Sequence, residues 1–120
     1  MVRKSATLPD DGSGRERRLD DGICAALAVL ETRWTLRELT VLARGPARFS
    51  ELEAAVPGVS RAMLSDRLRA LESAELVRRT VDPGRPITSS YALIGAGEDL
   101  PEALEKLTEW ATGYPVPSAS

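Results

Sequence analysis

The stretch Val59–Glu72, reading VSRAMLSDRLRALE, limits what this chain can fold into more than any other. Leu64, Leu68 and Leu71 recur at i, i+4 and i+7, so one stripe of a helix is apolar. Ser60 precedes the run as an N-cap whose hydroxyl can accept from a free amide of the first turn. On a 3.6-residue wheel Ala62, Ser65, Asp66, Arg69 and Ser73 fall away from the leucine stripe, and Arg61 stands at the helix tip. A shorter helix, Phe49 to Val56, precedes it and ends in the turn signal Pro57-Gly58. Helix, tight turn, and a second helix with an arginine-bearing outer face describe a helix-turn-helix. A plain amphipathic helix in a small bundle satisfies the same stretch.

What surrounds this stretch narrows the choice of chemistry. A chain of 120 residues with 42% hydrophobic content supports one domain with a modest core, and a partner would help to bury more of it. No apolar run approaches the ~18 residues of a membrane span, and Met1-Val2-Arg3-Lys4-Ser5 leads into a polar stretch instead of a signal-peptide core. A cytoplasmic location is expected. The single cysteine excludes an internal disulfide framework. The chain has no histidine, which removes the commonest general base and metal ligand. No Gly-rich nucleotide loop or Cys-x-x-Cys occurs. Neither an enzyme, a metal nor a cofactor is expected.

The formal net charge of −2 is low for a nucleic-acid binder, but its distribution is uneven. Residues 1–43 balance seven basic against seven acidic groups. Residues 44–91 hold eight arginines against six acids, and residues 92–120 one lysine against five acids. The helix-turn-helix candidate is the most basic part of the chain.

In order along the chain, residues 1–19 read as a disordered arm, with Pro9-Asp10-Asp11-Gly12-Ser13-Gly14 turn-like and Arg15, Arg17 and Arg18 solvated or touching phosphates. A first helix is expected near 21–31 from Ile23, Leu27 and Leu30. A second follows Trp34-Thr35, with Leu36, Leu39, Leu42 and Ala43 apolar, and stops at Gly45-Pro46. Arg37 and Glu38 interrupt its apolar character and read as a solvated face. Ala47-Arg48-Phe49 reads as an extended link, with Ser50 as cap of the helix that follows. After Glu72, Leu76–Val81 alternates and is β-branched, Asp82-Pro83-Gly84-Arg85-Pro86 is a turn, and Ile87–Leu93 returns as a second strand. A hairpin directly after the recognition helix is a wing, with Arg85 near its tip. A last helix begins around Glu98-Asp99-Leu100-Pro101, with acids and proline early. Leu100, Leu104, Leu107 and Ala111 form its apolar stripe, Trp110 adds bulk, and its other face is acidic. That stripe is core or dimer seam. Residues 113–120 are expected to form a flexible tail.

The fold class is therefore mainly α with a small β-hairpin wing, a winged helix-turn-helix over residues 20–112. In detail the chain resembles the HxlR-type regulators of the MarR-like group. The matching words are Arg33-Trp34-Thr35-Leu36, Gly45-Pro46-Ala47-Arg48-Phe49-Ser50-Glu51-Leu52, Pro57-Gly58-Val59-Ser60, Met63-Leu64-Ser65-Asp66-Arg67-Leu68-Arg69-Ala70-Leu71-Glu72, Leu76-Val77-Arg78-Arg79 and Tyr91-Ala92-Leu93. The resemblance runs without gaps from about 21 to 112. It implies a homodimer built by the first and last helices, recognition helices in successive major grooves of double-stranded DNA, and wings over the flanking groove or backbone. The implied function is a dimeric, sequence-specific DNA-binding transcriptional regulator, with a small-molecule effector as a further partner.

The chain also departs from the family pattern. Asp21-Gly22 replaces a common redox-sensing Cys-Pro, with Cys24 three residues later. Arg61-Ala62 replaces Pro-Arg, Asp66 a common glutamine, and Thr88-Ser89-Ser90 the wing's Arg-Val-Glu. Arg37 and Glu38 stand where the family is apolar. These differences imply a DNA site preference unlike the common one; the acidic charge balance, Ala62, Asp66 and the inserted Arg37 and Glu38 favour a second reading in which the winged helix chiefly binds a small molecule or a protein.

On these grounds Ser60, Arg61, Met63, Ser65, Asp66, Arg69, Arg78, Arg79 and Arg85 are expected to face DNA. Ile23, Leu27, Leu100, Leu104, Leu107 and Trp110 are expected to form the dimer seam. Cys24 is expected to be packed as core or interface filler, not to act as a thiol sensor.

Overall fold

The computed structural model describes residues 17–115. Most of the arm and tail expected at 1–19 and 113–120 lies outside the described residues, Arg15 included. Among the described residues the elements follow in the order α1 (Asp21–Leu30), α2 (Thr35–Leu42), β1 (Ala47–Arg48), α3 (Phe49–Ala55), α4 (Arg61–Ser73), β2 (Val77–Asp82), β3 (Thr88–Leu93) and, after a 3-10 turn at Gly95–Asp99, α5 (Leu100–Thr112). No helix of the described residues is long and apolar enough to cross a membrane.

The leucine stripe of α4 does what its spacing predicts. Leu64, Leu68 and Leu71 are all buried and join Leu39 and Leu42 of α2, Leu52 of α3, Val77 of β2, Tyr91 of β3 and Leu104 of α5 in one core. Ser60 caps α4, its hydroxyl accepting from the Met63 amide at 3.0 Å. The far end closes with the Glu72 and Leu71 carbonyls accepting from the Glu75 and Leu76 amides at 2.9 and 3.0 Å. This closure puts Glu75 at φ 61°, where glycine is the usual residue.

The wing is a β2–β3 hairpin with Arg79 opposite Tyr91 and Asp82 opposite Thr88. At its tip the Asp82 carboxylate accepts from the Gly84 amide at 3.1 Å, an Asx turn. The expected link at Ala47-Arg48 is instead an edge strand. It pairs antiparallel with β3, Ala47 opposite Tyr91 and Arg48 opposite Ser90, which makes a three-stranded sheet of order β1-β3-β2.

The start of α3 also differs from expectation. Ser50 lies inside the helix, and Glu51 closes the N-terminus by accepting from the Arg48 amide at 2.7 Å. A glutamate at this third position reaches back naturally and is favoured by the positive end of the helix dipole.

Glu38 overturns the reading of a solvated face on α2. It is 0% exposed and among the largest fully buried side chains. The helix has Thr35, Glu38, Leu39 and Leu42 inward, a spacing that makes position 38 core whatever residue occupies it.

Candidate nucleic-acid interface

The outer face of α4 is presented by its packing. With the leucines inward, Arg61, Asp66 and Arg69 are exposed, while Met63 and Ser65 are half-buried beside them. Ser60, Met63, Ser65, Asp66 and Arg69 line a shallow, open depression along this face together with Ala62.

The arginines are held in defined places. Arg61 donates to the Glu53 carboxylate of α3 at 2.9 Å, and its guanidinium lies 5.1 Å from the centre of the Phe49 ring. Arg69 donates to the Ser65 hydroxyl one turn back at 3.1 Å. Exposed pairs of this kind add little stability. Their consequence is orientation: Arg61 is steered by α3, and Arg69 by its own helix.

Between α4, the start of α3 and the wing lies a cleft of about 660 Å³. Arg48, Arg61, Arg69 and Arg79 contribute the positive charge of its lining, and Glu72 opposes them from the same wall. Thr88, Ser89 and Tyr91 form the side given by β3. A cleft lined by one predominant sign of charge focuses the field on an anion such as a phosphate.

The wing arginines do not act as a block. Arg79 lines the cleft, and strand alternation puts Arg78 on the opposite face of the hairpin. Arg85 is exposed at the tip, away from both. The structure thus brings Arg61, Ser65, Arg69 and Arg79 together, joined by Arg48, Ser50 and the β3 side chains. Period-two alternation of β2 could have separated Arg78 from Arg79 in the sequence. Arg48 belongs to the group only because β1 pairs with β3.

Behind this face the third arginine of α4, Arg67, is half-buried. Its Nε donates to the Arg33 carbonyl at 2.9 Å, and Nη1 lies 3.4 Å from an Asp66 carboxylate oxygen. Arg33 precedes Trp34, which has φ 80° and carries the guanidinium groups of Arg33 and Arg37 over its ring, 4.7 and 5.3 Å from the ring centre. Glu38 sits one turn further along α2. Neither of its carboxylate oxygens meets a hydrogen-bond donor among the described residues. Burial pushes its pKa up to about 8, against the opposing pull of the Arg67 charge.

The residues expected to form a dimer seam separate into three groups by exposure. Ile23, Leu107 and Trp110 are exposed at 42, 48 and 61%. Leu27 and Leu100 are half-buried, whereas Leu104 is buried in the core of its own chain. Tyr114 stacks on Trp110 with ring centres 4.9 Å apart, extending the exposed apolar surface. No residue of α1 is fully buried. Cys24 is not packed within its own chain either; it is exposed on α1.

Comparison with known proteins gives consistent matches. The family model described as HxlR-like helix-turn-helix matches residues 29–118. The HTH-type transcriptional regulator YvaP of Bacillus subtilis strain 168 is 39% identical over 93 residues, 78% of this chain and 86% of that one. The HTH-type transcriptional regulator YodB of the same organism is 34% identical over 90 residues, 75% of this chain and 80% of that one. The structure of reduced YodB superposes with a TM-score of 0.68 at 31% identity, covering 85% of this chain and all of the other. YodB has also been solved after diamide treatment and with quinone bound.

Proposed function

The chain belongs to the HxlR-like helix-turn-helix family, and from that membership we propose that it is a dimeric transcriptional regulator that reads double-stranded DNA through α4. The observation that carries this reading is the outward face of a capped α4, with Arg61, Ser65, Asp66 and Arg69 set beside the arginine-lined cleft. In a major groove, Arg61 and Arg69 suit guanine through a bidentate fork, and Asp66 accepts from cytosine N4 or a bridging water. Ser60 and Met63 flank them at the helix tip. Arg79 in the cleft, with Arg78 and Arg85 on the wing's outer face and tip, supplies attraction to phosphates that does not depend on sequence.

Two copies assemble through α1 and α5. Ile23, Leu27, Leu107 and Trp110 form the contact, with Leu100 at its edge, and the two α4 helices enter grooves about 34 Å apart. The protein works by recognition in the cytoplasm, not by catalysis. The relative YodB has been solved with quinone bound, which supports a small-molecule effector for this chain as well.

The test is affinity for the chain's own upstream region against scrambled DNA, measured over a range of salt. Preference for the upstream duplex with a steep salt slope supports the regulator reading. Equal and barely detectable affinity for both would reject it in favour of a winged helix that chiefly binds a small molecule or a protein. The cleft and the acidic Asp66 on the reading face favour that second reading.

A further inference from the structure

Glu38 has no part in the DNA-reading surface, yet it is fully buried as a carboxyl with no hydrogen-bond partner among the described residues. A buried ionised carboxylate is costly unless paired. The chain therefore holds it in a form that either keeps a proton or recruits a cation.

The surrounding elements offer few cations. α2 is packed by α1, α3, α5 and β3. Asp20, Asp21 and Glu31 at the ends of α1, and Glu102, Glu105, Lys106 and Glu109 of α5, are exposed. Glu51 and Glu53 of α3 are bonded to the Arg48 amide and to Arg61. β3 brings the buried Tyr91 phenol. On α2 and its approach, Arg33 and Arg37 lie against Trp34. The charge that acts on Glu38 is that of Arg67, from the inner side of α4.

Arg67 is already committed elsewhere, to the Arg33 carbonyl and to Asp66. A carbonyl is a weaker partner for a guanidinium than an ionised carboxylate. We propose that Glu38 is a buried proton switch for the recognition helix. Its protonated form leaves Arg67 on Arg33 and Asp66, and its ionised form draws Arg67 inward and releases both.

The consequence falls on the reading face. Asp66 then loses its neighbouring cation and faces DNA as an uncompensated negative charge, and α4 loses its tether to the segment before α2. DNA affinity falls as pH rises through the titration of Glu38. This effect on DNA rests on α4 being the reading helix; the exchange of partners by Arg67 does not.

Carbon-detected NMR of the full chain tests the exchange directly. The Glu38 carboxyl is expected to titrate well above the ordinary carboxylate range in the wild type, with the Arg67 Cζ chemical shift following it. In Glu38→Gln the Arg67 signal is expected to stay flat. An ordinary carboxylate titration for Glu38, or an Arg67 signal that does not follow it, overturns the proposal. In parallel, affinity for upstream DNA is measured from pH 7 to 9. A several-fold loss in the wild type that is absent in Glu38→Gln supports the switch; the same loss in both overturns its effect on DNA. A protein that binds no DNA at any pH rejects the regulator reading, while the NMR titration still decides the exchange of partners. The wild-type titration stands even if Glu38→Gln does not fold.

Discussion

The ring of Trp34 closes over Gly58: a Cβ on the glycine would sit 3.2 Å from the indole Cη2. Trp34 lies in the segment before α2, and Gly58 in the turn between α3 and α4, with φ 96°. The contact packs the segment before α2 against the turn that joins the two helices of the helix-turn-helix. Gly58→Ala should cost about 1–2 kcal/mol, from the left-handed backbone and the crowding together. Urea denaturation checks this, and an unchanged midpoint would reject it. Trp34→Phe in the same background removes Cη2 and should recover the crowding part.

Stability should depend on pH in a direction unusual for a carboxylate. Native Glu38 holds its proton up to about pH 8, whereas the unfolded chain releases it near 4.5. Between those values the native state binds the extra proton, so raising the pH favours unfolding by at most about 1.4 kcal/mol per unit. The contribution is fully present below the lower value, lost progressively across the window and level above it. Denaturation curves at pH 5, 6.5 and 8 measure the trend. Glu38→Gln should flatten it.

The two kinds of arginine should separate in binding assays. Arg69→Ala should cost about 1–3 kcal/mol on the preferred duplex and relax specificity at one position. Arg79→Ala should weaken all duplexes alike and lower the salt slope by about one. If both variants lost affinity uniformly, Arg69 would be a phosphate contact and not a base reader.

The last helix should show opposite outcomes at neighbouring leucines. Leu104 belongs to the core and Leu107 to the exposed face. Leu104→Asp should cost more than about 4 kcal/mol and prevent folding, because it buries an unpaired charge. Leu107→Asp should leave the secondary structure intact and move sedimentation toward the monomer. A wild-type monomer at micromolar concentration would defeat the assembly itself.

Cys24→Ser should leave both DNA affinity and the response to mild oxidant unchanged, because Cys24 is exposed on α1, the helix given to the proposed contact, where a small thiol serves as filler with no chemical task. An oxidant response that the serine variant abolishes would show otherwise, and a disulfide between the two Cys24 residues of a dimer is the form it would take.

The parts of this fold legible in the sequence are those set by local periodicity. Leu64, Leu68 and Leu71 mark α4, Ser60 its start, and the alternation around Asp82–Pro86 the wing. The parts that were not legible depend on distant partners. Ala47-Arg48 is a strand only because Tyr91 and Ser90 lie beside it, and that pairing brings Arg48 into the cleft. Glu38 misleads because a carboxylate reads as surface by type, whereas Thr35, Leu39 and Leu42 place position 38 on the inner face. The Glu51 cap was readable from its third place in the helix, but the nearby Ser50 offered a more familiar candidate. Leu104 and Leu107 share one stripe in projection, and only the packing of α5 on α2 assigns them to different neighbours.

The first helix has a quantitative consequence for the living cell. Its ten residues include none that its own chain fully buries, with Val29 and Leu30 touching the core only in part. A helix of that length is marginal in water, so in the proposed assembly the second copy supplies its order. Melting temperature then rises with the amount of protein present, by mass action. Halving gene dosage would lower occupancy of the operator twice over, once through fewer molecules and again through a smaller folded fraction among them.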